Sequence, residues 1–214
     1  MERSRVAIVI PALNEAATIS NVVRASGRHG VPWVVDDGSE DATAQIARDA
    51  GACVVSHARN QGYDQALNTG FAAAYANGCV VFVTLDADGQ HDPELLPHTL
   101  RLIEEGAEVV IGVRSRYARL AEYIFACFTR IRYGIRDPLC GLKAYTASVY
   151  AARGYFDSYG SIGTELALFA AARGLRLAQV RFEVKNRDDT PRFGGVWSAN
   201  LRILRALGMW IIKM

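Results

Sequence analysis

The pattern richest in chemistry is Asp86-Ala87-Asp88, directly after the apolar run Val80-Val81-Phe82-Val83-Thr84-Leu85. Two carboxylates one residue apart beyond a buried strand can share a hard divalent cation through oxygen ligands. Such an ion neutralises a diphosphate, as a departing nucleoside diphosphate requires. Gln90 could add a carbonyl oxygen, with His91 and Asp92 also within reach. An Asp-x-Asp triplet also occurs in ordinary turns, so its weight depends on its company. Asp36 and Asp37 end an earlier apolar run, and aspartates there accept hydrogen bonds from a base N–H or ribose hydroxyls. Pro11-Ala12-Leu13-Asn14-Glu15 closes the first run and brings Glu15 to the same rim. Asn14 and Ser39 are also of helix-capping type.

Those loops need strands and helices to hold them on one edge. Val6 to Ile10 reads as a strand, with a helix from Glu15 to about Arg28 capped by Asn14. Strands at 31–35, 53–56, 79–85 and 108–113 alternate with helices at 42–50, 63–77 and from Pro93 to about 105. This alternation predicts a parallel α/β sheet, with every polar loop at the C-terminal end of a strand, where such sheets bind ligands. The second half is less regular. It holds helices at 119–131 and 164–173, a turn at 137–141, a strand at 175–184, a polar segment at 185–195 and an amphipathic helix at 196–213.

Composition sets the class. The 214 residues are 50% hydrophobic and 21% charged, enough for a sizeable core in one domain, or in one domain with an appendage. The expected division is a catalytic domain at 1–195 (halves 1–113 and 114–195) followed by the helix at 196–214. No apolar run reaches the roughly 18–20 residues of a spanning helix, and the N-terminus lacks the apolar core of a signal peptide. Four scattered cysteines suggest reduced thiols in a cytosolic protein. Residues 1–113 hold 7 Lys and Arg against 15 Asp and Glu, whereas residues 114–214 hold 17 against 7. The acidic half suits a metal; the basic half suits phosphates or an anionic surface. With one half acidic and no reading motif present, nucleic acid is not expected.

As an ordered set, PALNE (11–15), VVDDGSEDAT (34–43), NQGYDQALNTG (60–70) and LDADGQHDPE (85–94) resemble the inverting family 2 glycosyltransferases of the GT-A fold. Arg114-Ser115-Arg116 and the run from Asp137 to Lys143 extend the resemblance toward the polyprenyl-phosphate, dolichol-phosphate mannose synthase-like branch. The resemblance implies a nucleotide-sugar site formed by Pro11, Asn14, Glu15, Asp36, Asp37, Asp86, Ala87 and Arg114. It further implies Mg²⁺ or Mn²⁺ on Asp86, Asp88 and Gln90, with Asp137 near the reacting groups. The acceptor of that branch is an ionised phosphate, so little general-base help is needed and catalysis rests on positioning and charge stabilisation.

Two departures keep alternatives open. Branch members often carry Arg-x-x-Gly-x-Ser-Lys after the last strand; here the segment Arg187 to Gly195 lacks the Ser-Lys, leaving Arg187 or Arg192 to clamp phosphate. Gly163-Thr164-Glu165 resembles the Thr-Glu-Asp element that supplies a base in family 2 enzymes with hydroxyl acceptors, although Leu166 stands where the Asp would be. Either Thr164 caps a helix with Glu165 in its first turn, or Glu165 is a base and the acceptor is a hydroxyl. A nucleotidyltransferase would need a Gly-rich basic loop after the first strand, and that loop is acidic here.

In the last helix, Trp197, Leu201, Leu204, Gly208 and Ile211 form one stripe, widened by Ile203, Leu207 and Trp210, with Arg202, Arg205 and Lys213 opposite. Such a helix suits a bilayer interface with anionic lipid, implying peripheral attachment to the cytoplasmic membrane face. The same stripe could pack on the sheet or join two copies as a homodimer. Arg119 to Arg136, rich in Tyr, Phe and Arg, is a second basic-aromatic stretch.

Overall fold

The computed structural model describes residues 2–89, 95–117, 119–183 and 196–213, with side chains of the final stretch from 198 onward. Seven strands form one sheet: β1 (Val6–Ala12), β2 (Val31–Asp36), β3 (Cys53–Ser56), β4 (Val81–Thr84), β5 (Val109–Arg114), β6 (Lys143–Thr146) and β7 (Leu177–Phe182). They lie in the order β3-β2-β1-β4-β6-β5-β7. All pairings are parallel except those of β6, which runs antiparallel between β4 and β5. The chain leaves β1 toward β2 on one side and fills β4 on the other, and a crevice opens where strand order reverses in this way.

Alternating strand residues feed two cores. Ile8, Ile10, Val81 and Val83 face one side, where α1 (Ile19–Ser26), α2 (Thr43–Asp49) and α4 (Leu95–Glu104) pack. Ala7, Val9, Phe82 and Tyr145 face the other, beneath α3 (Tyr63–Ala76), α5 (Leu120–Tyr133), α6 (Ala147–Arg153), α7 (Glu165–Ala172) and α8 (Val196–Lys213). Phe71 of α3 stacks on Phe82 at 5.1 Å and meets Phe156 at 4.7 Å. A Cβ at Gly70 would run into Val9 and touch Val35 at 3.1 Å, so glycine is what lets α3 lie close to β1 and β2.

The structure departs from the expected elements at the start of α1, at Asn14 and Ser39, and at β6 with α6. Helix α1 begins at Ile19, not Glu15, and Asn14 is no cap: it sits at φ 53. Its N–H donates to Ser39 Oγ at 2.8 Å and its Oδ1 accepts from the Glu40 N–H at 2.8 Å, so Asn14 and Ser39 join two loops instead of capping helices. Strand β6 and helix α6 carry too short a pattern to stand out. The four cysteines are free thiols, Cys79 and Cys140 buried, Cys53 and Cys127 exposed. Helix α8 packs on α5 through Ile203, Leu207 and Trp210, whose Nε1 donates to the Tyr133 hydroxyl at 3.3 Å. The residues expected as its main stripe face outward: Leu201 is 68% exposed, Leu204 40% and Ile211 49%.

Candidate active site

A cavity of about 710 Å³ opens at the C-terminal ends of β1 and β4. Pro11, Ala12 and Glu15 form one wall, Asn60 to Tyr63 another, and Asp86, Ala87 and Asp88 the floor. Leu139, Gly141, Ile162 and Arg202 close it. Four of the expected carboxylates (Glu15, Asp37, Asp86 and Asp88) thus converge on one space.

The floor is shaped by its neighbours. Tyr63 donates its hydroxyl to Asp86 Oδ1 at 3.4 Å, and burial, then the Asp86 charge, pushes the Tyr63 phenol well up. A Cβ at Gly141 would collide with the Asp86 carboxylate, so the glycine makes the room that Asp86 occupies. Below lies Lys143, buried on β6, donating Nζ to the Cys140 carbonyl at 2.6 Å. Burial pushes its pKa down, against the pull of Cys140, Asp137 and Asp86. Lys143 thus sets its amine under the pull of Asp86 and Asp137. The run Asp137 to Lys143 gave no hint of this role, because the strand that buries Lys143 has no readable period.

The two aspartates at the end of β2 divide the work. Asp37, not Asp36, lines the cavity. Its Oδ1 accepts from the Gln61 N–H at 2.8 Å and lies 2.7 Å from His57 Nδ1, and its Oδ2 accepts from the Gly62 N–H at 2.8 Å. His57 Nε2 is in turn 2.9 Å from Thr69 Oγ1. Asp37 therefore holds the 60–62 wall in place. Asp36 is buried, accepts from the Ser39 N–H at 3.2 Å, and is not part of the lining. Glu15 stays at the rim, its N–H donating to Thr43 Oγ1 at 2.7 Å and its Oε2 accepting from Thr18 at 3.1 Å. Asn14 stands outside the lining, in the loop joint described above.

Three expected roles meet a different geometry. Asp137 is 1% exposed and clamped bidentately by Arg114, Nε to Oδ2 at 2.8 Å and Nη2 to Oδ1 at 2.9 Å. A carboxylate so engaged orients the 137–141 turn, whose Leu139 and Gly141 reach the cavity, and does not itself touch it. Arg114 spends its guanidinium on Asp137 and on Glu122 Oε2 at 3.1 Å. Burial alone would lower its pKa, but the Asp137 hydrogen bond and the two carboxylate charges outweigh that and raise it. Glu165 is fully buried away from the cavity: it pairs with Arg153 and accepts from the Ser158 N–H at 2.6 Å. Nor does Thr164 cap α7; Ser161 Oγ accepts from the Thr164 and Glu165 N–H groups, at 3.1 and 2.9 Å. Gln90, Arg187 and Arg192 lie outside the described residues.

Among the described residues no cluster of three or more His, Cys, Asp or Glu could hold a metal by itself. Two aspartates fit a hard ion that keeps waters and takes its other ligands from substrate phosphates, the habit of Mg²⁺ and of its octahedral relatives.

The glycosyl transferase family 2 model matches residues 7–125. The chain is 32% identical over 196 residues to a dolichyl-phosphate hexose transferase of Haloferax volcanii, covering 85% of this chain and 83% of that one. It is 32% identical over 167 residues to an undecaprenyl-phosphate 4-deoxy-4-formamido-L-arabinose transferase of Pectobacterium atrosepticum, covering 69% of this chain and half of that protein. Glucosyl-3-phosphoglycerate synthase from Mycobacterium tuberculosis, solved with Mn²⁺ and UDP-glucose, superposes with a TM-score of 0.77 at 25% identity, covering 96% of this chain and 78% of that one. With the GT-A sheet, the acidic cavity and these matches together, the chain belongs to glycosyl transferase family 2 and is a glycosyltransferase.

Proposed function

We propose that the protein transfers a sugar from a UDP- or GDP-linked donor to a polyprenyl phosphate, with inversion at the anomeric carbon. The donor fills the cavity, its base and ribose against Pro11, Glu15 and the 60–62 wall and its diphosphate over Asp86 and Asp88. A divalent ion held by those two aspartates, Mg²⁺ or Mn²⁺, supplies the charge that stabilises the departing diphosphate. An acceptor phosphate oxygen bonds to the sugar carbon as the bond to the diphosphate breaks, and the nucleoside diphosphate leaves with the electron pair. The attacking oxygen carries no proton, which accords with a site where Glu165 is turned inward and Asp137 is locked on Arg114.

The observation that carries the acceptor class is a second cavity, of about 600 Å³, where Arg130, Arg136 and Arg181 stand with Tyr123, Phe182 and Glu183 around an Arg114 already paired to Asp137. Guanidinium groups against aromatic walls suit a phosphate on an apolar chain. The relatives named for dolichyl and undecaprenyl phosphates support the same class. No helix among the described residues is long and apolar enough to cross a membrane. Yet α5 exposes Leu120, Tyr123 and Ile131, and α8 exposes Leu201, Leu204 and Ile212, beside arginines of both helices. Exposed apolar side chains on two packed helices, with exposed arginines on the same helices, support docking on an anionic, cytoplasmic-side membrane surface.

The test is transfer of radiolabelled sugar from a panel of UDP- and GDP-sugars to undecaprenyl phosphate with Mg²⁺ or Mn²⁺. Label in the organic phase that vanishes in Asp88→Ala is the expected result; label only in a water-soluble glycoside overturns the lipid acceptor. Leu204→Glu with Ile212→Glu should release the protein from anionic vesicles. Unchanged co-sedimentation, or a dimer lost in the same variant, refutes membrane docking by this face.

A further inference from the structure

Helix α8 turns its cationic edge, not its apolar one, along the active-site wall. Arg202, Arg205 and Lys213 are spaced to return to one side of a helix. They follow the 158–162 loop in order. Lys213 donates Nζ to Ser158 Oγ at 3.1 Å and stands 4.6 Å over the Tyr159 ring. The Arg205 guanidinium borders Gly160, 3.7 Å from where a Cβ would stand. Arg202, at the near end, enters the donor cavity beside Ile162 of the same loop.

That cavity presents four carboxylates (Glu15, Asp37, Asp86 and Asp88), and Arg202 is the one cation among its described lining residues. A polyphosphate entering a purely acidic cleft is repelled wherever a metal ion does not shield it. A guanidinium offers a planar, permanently charged pair of donors matched to phosphate oxygens. The neighbouring Ile203 is buried, with Leu207 and Trp210, against the body of the protein. Packing thus holds the arginine's backbone before any ligand arrives, which lowers the entropy lost on binding.

We propose that Arg202 is a phosphate-binding residue of this site, delivered by α8 and pairing with phosphate oxygens brought by the donor diphosphate or by the acceptor. The inference rests on the transfer reading only for where that phosphate comes from. The test is calorimetric titration of wild type, Arg202→Gln, Arg202→Lys and Arg205→Gln with UDP or GDP plus Mn²⁺, and separately with farnesyl phosphate. Loss of one charge-assisted contact should weaken binding about 10- to 100-fold in Arg202→Gln, and less in Arg202→Lys. Arg205→Gln should stay within about twofold of wild type, because Arg205 borders the loop and not the cavity.

Weaker nucleoside diphosphate binding assigns Arg202 to the donor; weaker farnesyl phosphate binding alone assigns it to the acceptor. Unchanged affinity for both ligands in Arg202→Gln overturns the proposal, as does a wild type that binds neither. Equal losses in the Gln and Lys variants with a matching fall in melting temperature also overturn it, by making Arg202 a packing residue. No turnover is read, so a failure of the polyprenyl-phosphate reading shows separately, in the transfer assay.

Discussion

Replacing Gly141 by alanine separates the architecture of the proposed metal site from the stability of the fold. The backbone at Gly141 is not in the left-handed region, so alanine costs little there and restricts the unfolded chain slightly. Its Cβ, however, would stand 2.7 Å from Asp86 Cγ and 2.8 Å from Oδ1, so the carboxylate must leave its place. The swing costs about 0.5–1.5 kcal/mol in rotamer strain, with a comparable loss of about 1 kcal/mol for the Tyr63 hydrogen bond. For a chain of this size a net loss near 1 kcal/mol lowers the melting temperature by about 2–4 °C. At the proposed metal site the loss is larger, because Asp86 is one of the two aspartates assigned to the ion. Disturbing a group that holds a ligand typically costs about 10- to 100-fold in affinity. Titration of Mn²⁺ by the electron paramagnetic resonance of the free ion, with nucleoside diphosphate present, should show that loss in a protein still folded by circular dichroism. Wild-type Mn²⁺ affinity would refute the reasoning, and so would a melting shift beyond about 10 °C, which would mean that Gly141 supports the fold and not the ligand.

Glu165→Gln leaves Arg153 without its buried carboxylate. It should cost about 3 kcal/mol or somewhat less, since Arg153 keeps some contact with water, while transfer per folded molecule changes less than about tenfold; a loss of 100-fold or more would make Glu165 a base after all. Asp64 accepts from the Ile162 and Gly163 N–H groups at 3.1 and 2.6 Å, yet burial, then the charge of Asp157, raises its pKa from 3.8 to about 6. The native state then holds a proton that the unfolded chain has released, so this group's contribution to stability is full below about pH 4 and fades by about pH 6. Urea unfolding of Asp64→Asn across that window should lack this fall, and an identical slope in wild type and variant would assign it elsewhere.

Much of the fold was legible because its signals are local. Apolar β-branched runs ending in Pro11, Asp36 and Asp86 announce parallel strands whose C-terminal loops must share one edge, and that geometry brings Glu15, Asp37, Asp86 and Asp88 into one cavity. Strand β6 was not legible: Lys143–Thr146 is four residues long with no clean alternation, and its pairing depends on β4 and β5 far away in the chain. With it went the buried Lys143 and the Gly141 clearance beside Asp86.

The alternation of strand and helix, the acidic edge and the family were determined by the sequence alone, because hydrophobic period and turn chemistry act over a few residues. Only the tertiary structure decided which member of each pair does what. Asp37 rather than Asp36 lines the cavity because the 60–62 loop and His57 converge on it. Glu165 turns inward because Arg153 and Ser158 wait behind it. Helix α8 is apolar around most of its girth, so period could not tell its packed side from its exposed one. The surface of α5 made that choice, and in burying Ile203 and Trp210 it set Arg202 in the cavity.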